Sequence, residues 1–439
     1  MTLSPPSQPL EYQAKAAALP GARAALVLLL LINLFNYIDR PVLAAVEHDI
    51  AKDFFKDPNA PATMAKMGSL ASAFFFSYML TAPLFGFLAD RMSRWLLVGT
   101  GVLLWSLATG ATGLAGSFGI LFASRLFVGI GEAGYGPSAP TIISDLYPVE
   151  RRGGVLAWFY VAIPVGSALG YVIGGAVGGA MGWRWAFYVV TIPGILLGLW
   201  SLRMKDPKRG GADAPAGTAD AQAKPTMRDY LSLLHIPSYV LNTAAMAAMT
   251  FAIGGIGYWM PRYLIDVRGL ATAKANTMFG AIVVVAGLGA TLLGGWAGDK
   301  LRPRFPGSYF LVSAVGILLA CPFVILMLHV PFPFTWLALF GAVFFLFFNT
   351  GPSNTALANV THPSVRASAF ALNIFLIHLL GDVPSPTVLG YVAGKFGWDA
   401  AFGVVAALMA VAGVLWFIGT QYLAADTAAA PHRRAPAPA

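Results

Sequence analysis

Six ionisable residues fall inside long apolar stretches of this sequence, where a charge is costly: Asp39, Arg40, Arg125, Glu132, His378 and Asp382. A charged side chain at the centre of a bilayer costs about 2.5–3.5 kcal/mol on insertion scales, so such residues are functional candidates by default. Burial favours the neutral form of a carboxylic acid, and a neighbouring arginine favours the charged form. Two buried carboxylates beside arginines therefore predict proton transfer, and Asp39 and Glu132 are the candidate proton-coupling residues.

The spacing of these residues predicts their depth. Asp39 lies about seven residues before the predicted outer end of the first apolar segment, and Arg125 lies about seven residues into the fourth. Glu132 follows on the same helix face, about 10 Å deeper at 1.5 Å per residue. Arg40 and Arg125 are thus predicted to tune the carboxylates or to bind an anionic substrate. The spacing leaves open which arginine pairs with Asp39, and a permanently paired structural cluster is the alternative.

Uncharged polar residues in the apolar segments supply further substrate-binding candidates. Asn33, Asn36 and Tyr37 share a stripe with Arg40 at three- and four-residue spacing, so they can line a cavity together. The remaining candidates are Tyr135, Asn349, Asn373 and Asp382. Hydrogen bonding between helices is the alternative for the asparagines, and capping of a helix break near Pro384 is the alternative for Asp382. His378 is predicted to pack rather than to carry a proton.

Enzyme chemistry lacks a motif in this sequence. Gly129-Ile-Gly-Glu-Ala-Gly134 fits the dinucleotide fingerprint, but it lies within an apolar helix with no strand before it. Cys321 is the single cysteine, which excludes an internal disulfide framework and a cysteine zinc site. We therefore predict no catalytic residue, no metal site and no cofactor.

Composition indicates the elements that must position the charged residues. The chain of 439 residues is 57% hydrophobic and only 11% charged, against about 25% charged in soluble domains. Its apolar runs are continuous rather than alternating, which favours helices over a membrane β-barrel. A helical span needs about 20 apolar residues. The sequence predicts twelve, at about 22–46, 68–89, 95–115, 118–141, 155–178, 183–202, 237–262, 275–298, 307–329, 334–358, 367–392 and 398–421.

The distribution of positive charge predicts the topology. Eighteen of the 28 Lys and Arg residues fall in segments that are cytoplasmic if both termini are inside, and eight, including Arg262, fall in the outer loops. The net charge of +9 thus reflects topology, and no nucleic-acid partner is predicted. We expect a multi-pass protein of the cell (inner) membrane. Its parts are a tail (1–21), a six-helix bundle (22–202), a cytoplasmic linker (203–236), a second bundle (237–421) and a tail (422–439).

The two halves repeat one another. Gly136-Pro137-Ser138 recurs as Gly351-Pro352-Ser353, and the same offset of 215 residues relates Gly182-Trp183 to Gly397-Trp398. Parallel repeats of six helices, giving two pseudo-symmetric bundles, are the arrangement of a major facilitator transporter. The segment from Gly86 to Arg94 recurs as Gly295 to Arg302 and resembles the signature loop of that superfamily. Its predicted gating residues are Gly86, Asp90, Arg91 and Arg94, with Asp299, Lys300 and Arg302; a positively charged tight turn is the alternative.

Four further motifs resemble the Spinster family of that superfamily: Asn36-Tyr-Ile-Asp-Arg40, Gly131-Glu-Ala-Gly-Tyr135, Ile163-Pro-Val-Gly-Ser-Ala-Leu-Gly-Tyr171, and His378-Leu-Leu-Gly-Asp382 with Ser385-Pro386. The similarity runs from about residue 30 to 420, and the short loops and tails resemble a bacterial member. The resemblance implies transport of sphingosine-1-phosphate or a lysophospholipid, with Asp39 and Glu132 as proton sites. Tyr171 departs from the antiporter pattern of the superfamily, which has proline there, and this weakens any inference to antiport.

These observations favour a proton-coupled secondary transporter of an amphipathic, lipid-like substrate that works by alternating access. A proton symporter of small organic anions could use the same buried arginines. A membrane receptor that binds without transport is the alternative from another class, although it has no need of gating loops in both halves. The expected partners are the bilayer, protons and the substrate. A single chain contains both halves, so a monomer is expected.

Overall fold

The computed structural model describes residues 19–89, 91–209, 231–362 and 365–432. Helices make up nearly all of these residues. Their bounds are α1 (Ala22–Phe54), α2 (Pro61–Ala89), α3 (Arg94–Gly113), α4a (Phe118–Ala133), α4b (Ser138–Leu146), α5 (Val149–Met181), α6 (Trp183–Ser201), α7 (Pro237–Asp266), α8 (Thr272–Leu301), α9 (Ser308–His329), α10a (Phe334–Phe347), α10b (Thr350–Asn359), α11a (Arg366–Ile377), α11b (Ser385–Phe396) and α12 (Trp398–Ala429). The predicted order of twelve spans is therefore confirmed.

Eleven of these spans are long and apolar enough, within the described residues, to cross a membrane as helices of at least 18 residues. The fourth span is divided by a turn at residues 134–137, and α4a has only 16 residues. A π-helical turn, His378–Asp382, interrupts the eleventh span just before Pro384. Because proline donates no backbone N–H, the ladder of hydrogen bonds is already broken there. The sequence predicts continuous spans at all three broken places, including 334–358, and misses these breaks.

Several helices extend beyond the ends that hydropathy predicts. α1 continues to Phe54 rather than ending near residue 46, and α7 continues to Asp266 rather than 262. Charged residues in the extra turns mark the predicted ends, but Glu47 on α1 is fully buried. A hydropathy profile treats such a residue as the edge of a span because it contains no information about a partner.

The N-terminal half (α1–α6) and the C-terminal half (α7–α12) meet along two equivalent seams, α2 with α11b and α5 with α8. Glycine allows close approach in both. A Cβ atom at Gly68 would collide with the carbonyl group of Pro386, and one at Gly280 would come within 2.8 Å of the carbonyl oxygen of Ala168. The matching positions of these glycines show that the repeat extends to the packing between the halves.

The seams close one end of the molecule more than the other. We name the end where residues 203–236 connect α6 to α7 the linker end, and the opposite end the far end. Within the described residues, the hydrogen bonds and ion pairs between halves lie at mid-depth or towards the far end: Ser72–Thr387, Tyr171–Gly257, Tyr258–Met67, Asn276–Ala45, His48–Asp266 and Arg262 with Glu47, Pro58 and Asn59. α2 packs along α11b and not along α11a. The halves therefore diverge towards the linker end.

Candidate functional site

A cavity of about 280 Å³ lies between the two halves at mid-depth. The N-terminal half lines it with Tyr37, Asp39, Arg40, Phe74, Phe75, Arg125, Ser167 and Tyr171, among others, and the C-terminal half with Gly254, Gly257, Tyr258, His378, Asp382 and Pro386. Four of the predicted charged residues thus reach one space from three different helices and the π turn. The aromatic rings beside them make the cavity amphipathic.

Arg40 pairs with Glu132. The Nη2 atom of Arg40 lies 2.7 Å from Oε2 of Glu132, and its Nε donates to the same oxygen over 2.9 Å. Asn36 accepts a further hydrogen bond from Arg40 over 3.3 Å. The guanidinium also lies over the rings of Tyr37, Phe74 and Tyr78, at 4.8, 5.0 and 5.6 Å from their centres. The side chain of Arg40 is a quarter exposed whereas that of Glu132 is fully buried, so the pair joins the cavity to the interior of the N-terminal half.

Asp39 accepts a hydrogen bond of 2.5 Å from the hydroxyl of Thr109 on α3. Its second oxygen has no hydrogen-bond partner among the described residues. Arg125 interacts electrostatically with Asp39 but forms no ion pair with it at contact distance. The Nη2 atom of Arg125 donates to Thr112 over 2.6 Å, while its Nε has no partner in the described part of the chain. Both charged groups therefore retain unused hydrogen-bonding capacity beside the cavity.

The α3 threonines are functional candidates that the sequence analysis missed. Thr109 and Thr112 are one helical turn apart, so a single face of α3 holds both Asp39 and Arg125 in place. Ser124 shares a hydrogen bond of 2.8 Å with Thr112. The three-residue spacing of hydroxyl groups in an apolar span is the signal that could have identified them.

The C-terminal wall of the cavity carries little charge. His378 and Asp382 lie one turn apart on the π-helical segment, and Nδ1 of His378 is 2.7 Å from Oδ2 of Asp382. The ring of His378 also stacks on Phe75 of the opposite half, with 6.0 Å between ring centres. Opposite Asp39 this wall is formed by Gly254. His378 is thus packed, as predicted, and it also contacts the one carboxylate of this wall.

Four predicted substrate-binding residues lie outside the cavity lining. Asn33 donates to the carbonyl oxygen of Phe159, and the Tyr135 hydroxyl donates to that of Leu29. Asn349 donates to Leu346 within its own helix turn, and Asn373 approaches the sulfur of Met246. In this conformation each forms an internal hydrogen bond, which is the alternative that the sequence analysis considered for the asparagines. Their part in substrate binding remains a prediction.

The predicted gating residues contact only their own halves in the described part of the chain. Arg94 is buried and binds Asp145 on α4b and Asp206 in the segment after α6. Arg91 lies over the ring of Phe87, and Asp299 accepts a hydrogen bond of 2.7 Å from Tyr309. Lys300 lies over Trp296, Arg302 lies over Tyr309, and Gly86 has open space around it. Asp90 lies outside the described residues. The linker end is thus without the contacts that a closed gate would need from these residues.

Arg262 corrects the predicted topology. The sequence analysis places it in an outer loop, yet it lies within α7 with its side chain fully buried against Glu47. Positive charge at the end of an apolar run is typical of a loop residue. The buried carboxylate that makes this arginine tolerable belongs to the other half, so the local sequence does not reveal it.

The fold and site define a class of protein: two repeated six-helix halves surround a polar cavity that is closed towards one end. This is the architecture of a secondary transporter. Comparison with known families agrees, because the Major Facilitator Superfamily model matches residues 29–386. Within it, the chain belongs to the Spinster family of transporters, which is not a family of enzymes.

The relatives that carry this assignment are similar over most of the chain. Protein spinster of Drosophila melanogaster is 34% identical over 82% of this chain and 60% of its own length. Protein spinster homolog 3 of Danio rerio is 34% identical over 84% of this chain and 76% of its own. The sphingosine-1-phosphate transporter SPNS2 of Mus musculus is 36% identical over 82% and 68%.

Among solved structures, a bacterial homologue of the human lysosomal transporter Spinster, in an inward-facing and occupied conformation, superposes with a TM-score of 0.82. It is 23% identical and covers 96% of this chain and 100% of its own. The same homologue in an unoccupied conformation gives 0.79 over the same shares. A D-xylose–proton symporter gives 0.73 at 17% identity, over 89% of this chain and 96% of that one. These structures support the fold.

Proposed function

We propose that this protein is a proton-coupled transporter that moves an amphipathic, lipid-like substrate with an anionic head group by alternating access. The observation that carries the proposal is the cavity wall in which Asp39 and Arg125, both buried, each keep a polar atom without a hydrogen-bond partner. A substrate oxyanion at this wall can bind Arg125, and a proton can bind Asp39. No other part of the described chain brings these two chemistries together around a cavity.

Proton coupling follows from the electrostatics of the wall. The charged form of a buried carboxylate depends on a nearby positive charge. Arg40 neutralises Glu132 directly, whereas Arg125 acts on Asp39 without an ion pair. A substrate anion that binds Arg125 competes with Asp39 for its charge and so favours protonation of Asp39. Proton and anion are then carried together.

A lipid-like substrate suits the shape of the site. The volume of about 280 Å³ accommodates a head group but not a long acyl chain. Phe74 and Phe75 line the cavity on α2, which separates from α11a towards the linker end. A hydrocarbon chain can leave the cavity between these two helices and lie along the apolar surface of α2. The name of the mouse relative, a sphingosine-1-phosphate transporter, is consistent with such a substrate.

The positive-charge distribution gives the proposed orientation. The linker and both termini are assigned to the cytoplasm, in the cell membrane, by the excess of Lys and Arg at the linker end. The present conformation, with the far end closed, is then the inward-facing state.

The test is flux in proteoliposomes. Purified protein is given labelled lysophospholipid or sphingosine-1-phosphate, with and without an imposed pH gradient, beside Asp39→Asn. We expect movement of lipid that depends on the gradient and is lost in the variant. Asp53→Asn is the matched control, since Asp53 lies on the same helix but pairs with Arg184 at the far-end surface, and it should transport normally.

Two outcomes would contradict the proposal. Gradient-dependent transport by Asp39→Asn equal to that of the parent would remove Asp39 as the proton site. No lipid movement by folded protein would exclude the lipid substrate. The same vesicles would then be loaded with sugar acids, because the buried arginines can bind a carboxylate equally well.

A further inference from the structure

At the far end, one buried arginine joins the two halves. Nη1 of Arg262 on α7 lies 2.6 and 2.9 Å from the two carboxylate oxygens of Glu47 on α1. Both side chains are completely buried. The pair lies two turns beyond Arg40 along α1, so it is separate from the cavity wall described above.

The other donors of Arg262 are also satisfied. Nη2 donates to the carbonyl oxygen of Pro58 over 2.7 Å and to the side-chain oxygen of Asn59 over 2.9 Å, both in the loop after α1. Nε donates to Asp266 on its own helix over 3.0 Å. Three of the four groups that Arg262 binds thus belong to the N-terminal half. Separation of the halves at this end breaks all three contacts at once.

The position of this pair in the repeat is informative. Glu47 and Arg262 are 215 residues apart, the offset that relates Gly182 to Gly397 and the first residue of α1 to that of α7. Two residues in equivalent positions of a two-fold arrangement touch only at its axis. The pair therefore marks the pseudo-symmetry axis at the far end. A repeat with the same charge at both positions would repel itself there, whereas this chain has opposite charges.

We propose that Glu47 and Arg262 form an axial latch that holds the far end closed and must break for this end to open. This inference rests on the alternating-access cycle proposed above. In the closed state, removal of one partner leaves the other charge buried and unpaired, which is strongly unfavourable. In the open state both charges face water, where an unpaired charge costs little. Loss of one partner therefore destabilises only the closed far end.

His48 and Asp266 flank the latch. Nδ1 of His48 lies 2.9 Å from Oδ1 of Asp266, and this pair also crosses between the halves. Both side chains are slightly exposed, at 11% and 13%, whereas the latch itself is not. The flanking pair thus covers the latch on its solvent side, and the larger energetic effect is expected from Glu47 and Arg262.

The experiment measures conformation rather than flux. Spin labels are placed on a Cys321→Ser background at exposed positions of opposite halves, Lys56 with Lys274 at the far end, and Arg203 with Arg304 at the linker end. Distances are measured by pulsed electron resonance in lipid nanodiscs without substrate. For Glu47→Gln we expect the ratio of far-open to linker-open protein to rise about tenfold or more. The far-end distances lengthen and the linker-end distances shorten.

Matched variants separate a latch from general destabilisation. Asp53→Asn removes a far-end carboxylate whose partners, Arg184 and Trp183, are in the same half, so its distances should equal those of the parent. Arg262→Lys keeps the charge but cannot make the same forked contacts, and it should give an intermediate shift. It also supplies a second test if Glu47→Gln does not fold.

Unchanged distances in folded Glu47→Gln, or in Arg262→Lys where the first variant is unfolded, would overturn the latch. An equal shift in Asp53→Asn would do the same, because it would show that any lost far-end charge opens the protein. Since no substrate or pH gradient is used, failure of the lipid or proton proposal leaves this result unaffected. Failure of the latch likewise leaves the flux result standing.

Discussion

The two halves of this protein have the same helical plan but very different charge where they face the cavity. In the N-terminal half the four charged positions are Asp39, Arg40, Arg125 and Glu132, and the positions 215 residues later are Gly254, Gly255, Phe340 and Phe347. The seams between the halves, by contrast, use equivalent glycines on both sides. Packing has thus kept its symmetry while chemistry has not. We infer that the N-terminal half binds the charged group and the proton, and that the C-terminal half provides the surface that moves against it.

The strongest test of this asymmetry is Glu132→Gln. Arg40 would lose the carboxylate that it binds at 2.7 Å, and a buried guanidinium without its partner is costly. We expect gradient-driven uptake in proteoliposomes to fall by at least about tenfold, with folding retained in detergent.

The matching change in the C-terminal wall is Asp382→Asn. The amide keeps an oxygen that can accept from His378, so uptake should stay within about threefold of the parent. If Asp382→Asn lowers uptake as much as Glu132→Gln does, the division between a chemical half and a moving half is wrong.

Arg125→Ala tests which charge the substrate carries. The loss of a buried guanidinium should weaken binding of an anionic lipid by roughly 10- to 100-fold and of a neutral analogue much less, measured by competition binding. Arg184→Ala, which removes a half-exposed far-end arginine, serves as the comparison. Equal losses for anionic and neutral lipids would assign Arg125 a structural part only.

Thr109→Val tests how the charged wall is held. The variant removes the hydroxyl that donates to Asp39, and a hydrogen bond to a charged group contributes about 1.5–3 kcal/mol. We expect uptake to fall by roughly three- to tenfold, less than for the loss of Glu132. Thr100→Val makes the same change on the same helix, where the hydroxyl binds only its own backbone, and it should have no effect. Equal effects of the two variants would show that α3 merely tolerates valine poorly.

The smallest effect on transport should come from the seams, where the halves are equivalent. Gly68→Ala and Gly280→Ala each push a methyl group towards a backbone carbonyl, which costs about 1–3 kcal/mol in a packed interface. Their thermal midpoints should fall by similar amounts, beside Gly403→Ala, where the added methyl meets open space. A large difference between the two seam variants would show that packing, too, has lost its symmetry.

Much of the fold could be predicted because bilayer thickness and the cost of unpaired backbone groups act on each segment separately. The length of an apolar run determines a span, and the repeated glycine and proline motifs reveal the two halves. The breaks in spans four, ten and eleven were missed because apolar side chains continue through them. The ends of α1 and α7 were missed for a related reason, since Glu47 and Arg262 look like loop residues until each is seen to cover the other.

The candidate site was predictable in its members but not in its pairings. Charge inside an apolar helix identified Asp39, Arg40, Arg125 and Glu132, since the bilayer alone makes such residues expensive. The sequence left open whether Asp39 pairs with Arg40 or Arg125, and the structure gives Arg40 to Glu132 and places Thr109 on Asp39. Asn33 and Tyr135 share the polarity of the site residues but point to backbone carbonyls of the same half.

The sequence by itself thus determined that this chain crosses a membrane in two repeated sets of six helices and that one set carries buried charge. Both follow from free-energy costs that a residue incurs in a bilayer whatever its neighbours are. Only the tertiary structure decided which charges meet, which end is closed, and that Glu47 and Arg262 lie together on the axis between the halves. These depend on the relative positions of helices far apart in the chain, and the attraction between two charges exists only once the fold has brought them within reach.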